Sequence, residues 1–413
     1  MSYWALRMSR DAKLILSANA LRNFGYGMLD VLFVLYLTAL GFNAIRIGAI
    51  ITATLLGSAV LNLTVGVFAD RVGRRRIMAI ATMIMIASGL VLILTNKFVF
   101  LLIVSLTGTL NFTSVSTGAF VGLDQATLPQ LSPAEGRNQV FGMYNTAALL
   151  ARMVGALASS VPNILEVGFG LSLVEGYRLT IGAFVLLSLF SLVCIGLLSP
   201  AVESVRSHME TSRRFFRLGR SRKRIFRISA LFGIDAFTSG LVANSLIVFL
   251  FYQRFGVGAE VMGPVYSAVR LLQALSYQVA VKFANRFGLL NTMVFTHLPS
   301  QFLLMALPFA PTLPTGILIL LLRHSLSHMD LPTRQAYLAE IVEPEERVAA
   351  AGVTNLTRNL TQGISPTMTG IAYQALSYSI PFLSAGILGI VYDAGLYFSF
   401  RRVRPEREQV VVS

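Results

Sequence analysis

Charge is what this sequence lacks most. Of its 413 residues only 13% are charged, while 55% are hydrophobic, against roughly 25% charged in a soluble domain. That is too little charge to cover a water-facing surface, and the shortage runs along the whole chain rather than around one anchor. Cysteine is nearly absent. Cys194 stands alone, which excludes a disulfide framework and a thiolate metal cluster and leaves that residue to packing. No G-x-x-x-x-G-K-[ST] string occurs, and the loops are too short for an ATPase domain, so any uphill work draws on a gradient. The loops also lack a catalytic triad or metalloprotease string.

What the chain has is apolar runs of spanning length, ~20 residues or more. They fall at 14–40, 45–68, 77–95, 98–124, 138–162, 176–198, 228–251, 261–284, 289–308, 314–341, 348–376 and 380–400. The reading is an all-α membrane protein of twelve transmembrane helices. Met1–Lys13 is short and basic, and the run from Leu14 is too long for a signal peptide, so it is expected to be kept as the first helix.

The net charge of +15 suggests nucleic acid only until its placement is read. With the N-terminus inside, twenty-five basic residues fall in inside segments and only Arg46, Lys97, Arg178 and Arg254 outside. Such asymmetry puts both termini in the cytoplasm, in a multi-pass inner-membrane topology. No nucleic-acid partner is expected; contact with anionic membrane lipids is. Residues 199–227 break the rhythm as a basic linker between bundles 1–198 and 228–413. Its Phe215, Phe216 and Leu218 suit either a membrane-surface helix or a solvated loop.

The halves repeat. A shift of 215 residues lays Gly25 on Gly240, Gly41 on Gly256, Gly48 on Gly263, and Asp70-Arg71-Val72-Gly73 on Asn285-Arg286-Phe287-Gly288. Further on, a shift of 210 pairs Gln125, Glu135, Arg137, Gly142 and Asn145 with Gln335, Glu345, Arg347, Gly352 and Asn355. Parallel repeats of six helices set a site near the bilayer midplane.

Between the second and third helices stands Gly66-Val67-Phe68-Ala69-Asp70-Arg71-Val72-Gly73-Arg74-Arg75-Arg76. Gly66 permits close helix approach and Gly73 a tight turn. Asp70 suits an open helix N-terminus, and Arg71 and Arg74 suit carboxylates at the same face. The string resembles the signature loop G-x-x-x-D-R-x-G-R-[KR]-[KR] of the major facilitator superfamily, and the resemblance covers the whole chain. It implies that Asp70 latches the halves at the start of the eleventh helix, near Arg347, with Asp124 joining the network. The second copy, with Val281, Asn285, Leu289 and Leu290, implies a weaker latch. The fifth helix, Ala151 to Pro162, lacks the Gly-Pro pair of the drug–proton antiporters. The tenth and eleventh helices resemble a bacterial subgroup of unassigned substrate.

Ionisable residues inside spans are costly and mark cavities or pairs. Arg22, Tyr26 and Asp30 share one face of the first helix; they line a cavity, or Arg22 and Asp30 neutralise one another. Arg152, Asp235, Arg270 and Arg358 lie in the fifth, seventh, eighth and eleventh. The tenth carries Arg323, His324, His328, Asp330 and Arg334. Asp235 reads as a proton carrier or a structural partner of an arginine, and Asp330–Arg334 as an intrahelical pair. Two imidazoles do not make a metal site, so no metal and no cofactor is expected; a titrating role suits His328 better. His297 is placed in a peripheral helix. Five span arginines (Arg22, Arg152, Arg270, Arg323 and Arg358) exceed three embedded aspartates, favouring an anionic or zwitterionic substrate, its anionic group held between Arg22 and Arg358.

Together these imply a monomeric secondary transporter of a small solute, a drug or organic anion, coupled to a proton or other ion by alternating access. The alternatives are a membrane enzyme acting on a lipid headgroup through His324, His328 and Asp330, a divalent-metal transporter, or a sensor.

Overall fold

Polar groups of a backbone in hydrocarbon must be satisfied within the segment, so helices are the form such a chain takes. The computed structural model describes residues 8–110, 119–131, 137–203, 221–343 and 346–401. Among them are α1 (Arg10–Ala39), α2 (Ala44–Val72), α3 (Arg74–Leu94), α4 (Phe98–Leu106), α5 (Ala119–Thr127), α6 (Arg137–Ala158), α7 (Val161–Phe169) and α8 (Leu173–Gly196). There follow α9 (Arg222–Leu241), α10 (Asn244–Phe255), α11 (Ala259–Phe287), α12 (Leu289–Ala306), α13 (Leu313–Ser327), α14 (Asp330–Ile341), α15 (Arg347–Ala375) and α16 (Ser379–Phe400). No strand occurs among the described residues. Most of the linker, with Phe215, Phe216, Leu218 and His208, lies outside them.

The surface is apolar where a soluble protein would be polar. Val60, Leu94, Phe190, Phe295 and Phe398 are exposed, while Arg22, Asp124, Arg152, Asp235, Asp330 and Asp393 are buried. Apolar exposure on this scale marks a lipid-facing wall. Among the described residues seven helical stretches are long and apolar enough to cross a membrane by length and composition.

Four expected spans are interrupted. The seventh starts early, at Arg222, and breaks at Val242–Ala243. There the hydroxyls of Thr238 and Ser239 both donate to the carbonyl of Asp235, at 2.7 and 2.9 Å, competing with the helical ladder. The carbonyls of Leu241 and Leu246 are taken instead by the hydroxyls of Thr369 and Tyr373 on α15. The tenth span restarts at Asp330, because a proline at position 332 has no N–H to return to the carbonyl of His328. The fifth turns at Ser159–Ser160 before α7. In the fourth, α4 ends at Leu106, α5 begins at Ala119, and 111–118 lie outside the described residues.

The contacts divide the chain into two compact units, one of residues 1–207 and 247–267, the other of 208–246 and 268–413. Residues 247–267, expected in the second bundle, therefore group with the first. Within the first unit α1 packs against α6 and α8, and α3 against α8; within the second α9 packs against α15 and α16, and α12 against α16. The second pattern repeats the first.

The repeat is visible in single residues. Gly73 (φ 107°) and Gly288 (φ 85°) open α3 and α12 in the left-handed half of the map, where L side chains are strained. A side chain at Gly27 would strike the carbonyl of Arg152, and one at Gly240 the carbonyl of Gln362. Arg152 and Gln362 stand 210 residues apart, so the structure aligns Gly240 with Gly27, not with Gly25 as the sequence shift suggests. The two residues of difference fall at the break between α9 and α10.

Candidate functional site

In the first unit, Nη2 of Arg22 on α1 donates to Oδ2 of Asp124 on α5 at 2.8 Å, and the side chains are 2% and 1% exposed. The hydroxyl of Tyr144 on α6 donates to the same oxygen at 2.9 Å. Ser191 Oγ lies 3.4 Å from Arg22 Nη1, and the Phe120 ring centroid 4.3 Å from its Cζ. Eight residues along α1, Asp30 meets Arg152 of α6 at 3.9 Å. Tyr26 lies between them in sequence, its ring 5.6 Å from the Arg152 guanidinium and its hydroxyl donating to the Thr109 carbonyl at 3.0 Å. Arg22 and Asp30 therefore do not neutralise one another: each is claimed by a different helix.

The second unit holds a larger cluster. Asp235 on α9 receives Nη1 of Arg334 from α14 and Nη1 of Arg358 from α15, each 2.7 Å from Oδ2. Arg334 also meets Asp330 one turn earlier, at 3.1 Å. On the other oxygen of Asp235, His297 of α12 stands with Nε2 3.8 Å away. Its Nδ1 donates to Asp393 of α16 at 2.9 Å. Every member is buried except Arg358, whose side chain is 20% exposed and also donates to the Phe232 carbonyl at 3.3 Å.

With Gly27 aligned on Gly240, Arg22 falls on Asp235, while the repeat of the later helices lays Asp124 on Arg334. The two units thus bridge equivalent helices with ion pairs of opposite polarity, at 2.8 and 2.7 Å.

Arg270 is buried, its Nη1 donating to Gln273 Oε1 at 3.2 Å; Arg323 is half-buried on α13. The rings of His324 and His328 stand 5.6 Å apart. Nδ1 of His324 bonds the Leu320 carbonyl, and Nδ1 of His328 faces Gln273 at 3.4 Å. Among the described residues no group of three or more His, Cys, Asp or Glu is arranged to hold a metal.

At the signature motif, the Glu203 carboxylate accepts the N–H of Arg74 at 2.7 Å, an anion on the open start of α3. The Arg74 guanidinium donates to the Ala126 carbonyl at 3.0 Å, and Arg75 to the Gly196 carbonyl at the end of α8. Asp124 pairs with Arg22 and Tyr144, and Arg22 is enclosed by that carboxylate. Gly66 is exposed, and among the described residues a side chain there would meet nothing within 4 Å. Arg71 is exposed at the end of α2, and the Asp70 side chain lies outside the described residues.

Sequence reasoning leaves out Asp393 and does not join His297 to the embedded charges. Asp393 was open to the same rule as the others, a carboxylate inside a 22-residue apolar helix. Adding Asp124 and Asp393 brings the embedded aspartates to five and closes the expected excess of the five span arginines. His297 was discounted because its helix lies at the periphery in the related fold, yet the residue is buried beside Asp235.

The chain matches the family model described as Major Facilitator Superfamily over residues 15–327. It is 23% identical over 415 residues to the "Uncharacterized membrane protein YJR124C" of Saccharomyces cerevisiae, covering 93% of each. It shares its fold with a bacterial homolog of the human lysosomal transporter Spinster: TM-score 0.72, 14% identity, 95% of this chain and 97% of that one. The D-xylose-proton symporter gives a TM-score of 0.70 at 16% identity, over 94% and 97%. From its motif, its repeated helices and this match, the chain belongs to the Major Facilitator Superfamily, a family of membrane transporters and not of enzymes.

Proposed function

We propose that this chain is a secondary active transporter of a small organic anion, coupled to protons and working by alternating access in the cytoplasmic membrane. Residues 1–198 and 228–413 are then its six-helix bundles and 199–227 a cytoplasmic linker. Both termini face the cytoplasm, as the positive-inside distribution supports. The carrier works as a monomer among membrane lipids, with no cofactor, metal or nucleic acid.

One observation carries the choice of an anion. Arg358 shares a single carboxylate oxygen with Arg334, so two cations compete for Asp235. Arg334 has Asp330 as a second partner. Arg358 is the partly exposed member, and among the described residues its bonds all run from Nη1. A planar guanidinium with further donors open to the site suits a carboxylate or phosphate. Asp235, already shared by two arginines, is the group whose charge balance a coupling proton bound nearby would shift.

The test is flux in proteoliposomes under an imposed pH gradient, with radiolabelled benzoate, succinate, uridine and xylose, read for both uptake and efflux. An anion should be carried, and Arg358→Gln should lower its flux about 10–100-fold more than that of a neutral solute, the worth of one charge-assisted hydrogen bond. A neutral or cationic cargo, or a variant with unchanged selectivity, refutes the anion reading.

A further inference from the structure

His297 is better furnished than packing requires. Its Nδ1 lies 2.9 and 3.1 Å from the two oxygens of Asp393, and its Nε2 lies 3.8 Å from Oδ1 of Asp235. Contact between α12 and α16 does not depend on it. The helices already approach at Gly386 and Gly389, where side chains would strike Met305 and Gln301. The ion pairs join Asp235 and Asp330 to the guanidinium groups of Arg334 and Arg358, and Asp393 to His297, so three carboxylates stand against two guanidinium groups. One more positive charge balances the cluster, and an unbalanced charge in the interior is costly.

Gln301 completes the arrangement. One turn after His297, its Nε2 donates to the ring Nε2 at 3.0 Å, which suits a neutral imidazole. Half a turn of the amide presents its oxygen instead, to accept from a protonated ring. Gly389 leaves the space in which the amide sits.

We propose that His297, held between Asp393 and Asp235, is where this carrier binds its coupling proton. The assignment rests on the proton-coupled anion reading above. A proton from water forms one N–H bond at Nε2 and later returns to water; no other bond changes. With the proton bound, Asp235 is shared by three cations rather than two, and Arg358 is released toward an anion. Proton and anion therefore promote one another's binding. Facing His297 are Asp393 and Tyr392 from α16, Asp235 from α9 and Gln301 on α12 itself; behind Asp235 stand Arg358 from α15 and Arg334 from α14, the latter paired with Asp330.

The direct test is 15N NMR of histidine-labelled protein in lipid nanodiscs. The chain has four histidines, and His297→Gln assigns the signal. The ring should pass from imidazolium to neutral between about pH 5 and 9. Asp393→Asn should move that midpoint about 1–3 pH units to the acid side, as loss of an adjacent opposite charge does. A ring that keeps one protonation state throughout, or a midpoint indifferent to Asp393→Asn, overturns the assignment. Flux of benzoate or succinate separates the two claims. Wild-type flux indifferent to the pH gradient removes the coupling reading itself. Wild-type flux driven by the gradient, with His297→Gln driven equally, removes only His297.

Discussion

Cutting the Arg22–Asp124 bridge should destabilise the protein severely, and removing both charges should not. The pair lies 2.8 Å apart with side chains 2% and 1% exposed. In Arg22→Gln the Asp124 carboxylate keeps only the Tyr144 hydroxyl at 2.9 Å and stays in a site water does not reach. Stranding one charge of a buried pair costs about 3–5 kcal/mol. On the scaling of a 150–250-residue domain, that lowers the melting temperature by about 6–20 °C. Asp124→Asn should cost a similar amount, because it strands the guanidinium. The double variant Arg22→Met with Asp124→Leu replaces both charges with apolar volume, and such exchanges are neutral or stabilising. Thermal unfolding of detergent-solubilised protein, followed by size-exclusion elution, reads all four proteins. Single variants within about 2 °C of wild type would refute the burial argument, being under 1 kcal/mol on the same scaling. A double variant as unstable as the sum of the singles would refute the pairing.

Three further outcomes are expected. Asp235→Asn should abolish pH-gradient-driven flux of benzoate or succinate in proteoliposomes; unchanged accumulation would exclude Asp235 from coupling. Gly27→Ala should cost about 1–3 kcal/mol, because its methyl group meets the Arg152 carbonyl, whereas Gly66→Ala should stay within about 0.5 kcal/mol; equal melting temperatures would contradict the close approach at Gly27. Asp70→Asn should depress flux more than the yield of folded protein, and normal flux in well-folded protein would end the case for a motif role.

Composition, the placement of basic residues and the signature motif were enough to read the fold, because spanning helices must be long, apolar and flanked by topological charge. The positions of embedded charges were equally legible; their partners were not. Arg22 and Asp30 share a face of α1, but which helices they meet depends on α5 and α6, whose approach is fixed by packing. The breaks were legible in part. Pro332 announces one, while the hydroxyls of Thr238 and Ser239 before the break at Val242 bond back to Asp235 as Thr54 and Thr82 bond back in unbroken helices, so nothing in the local sequence marks it. The partners of Asp124 were not legible either, because its position in the chain, at the end of a span, says nothing about its depth or facing.

The repeat conserves some features and inverts others, and the difference has a physical cause. Where α1 crosses α6 and α9 crosses α15, a glycine meets a backbone carbonyl in both units. That contact admits no larger residue on α1 or α9, so both copies hold glycine there. The bridge from α1 to α5, and its equivalent from α9 to α14, demands only that two buried charges be opposite. Arg22–Asp124 and Asp235–Arg334 satisfy it equally well with the signs exchanged. The exchange changes what gathers around the bridge. With the carboxylate on α9, a second arginine arrives from α15 and a histidine from α12. With the arginine on α1, the carboxylate Asp124 is closed off by Tyr144 and the guanidinium is covered by Phe120. The second unit therefore carries the larger, partly exposed cluster and the first a fully buried pair.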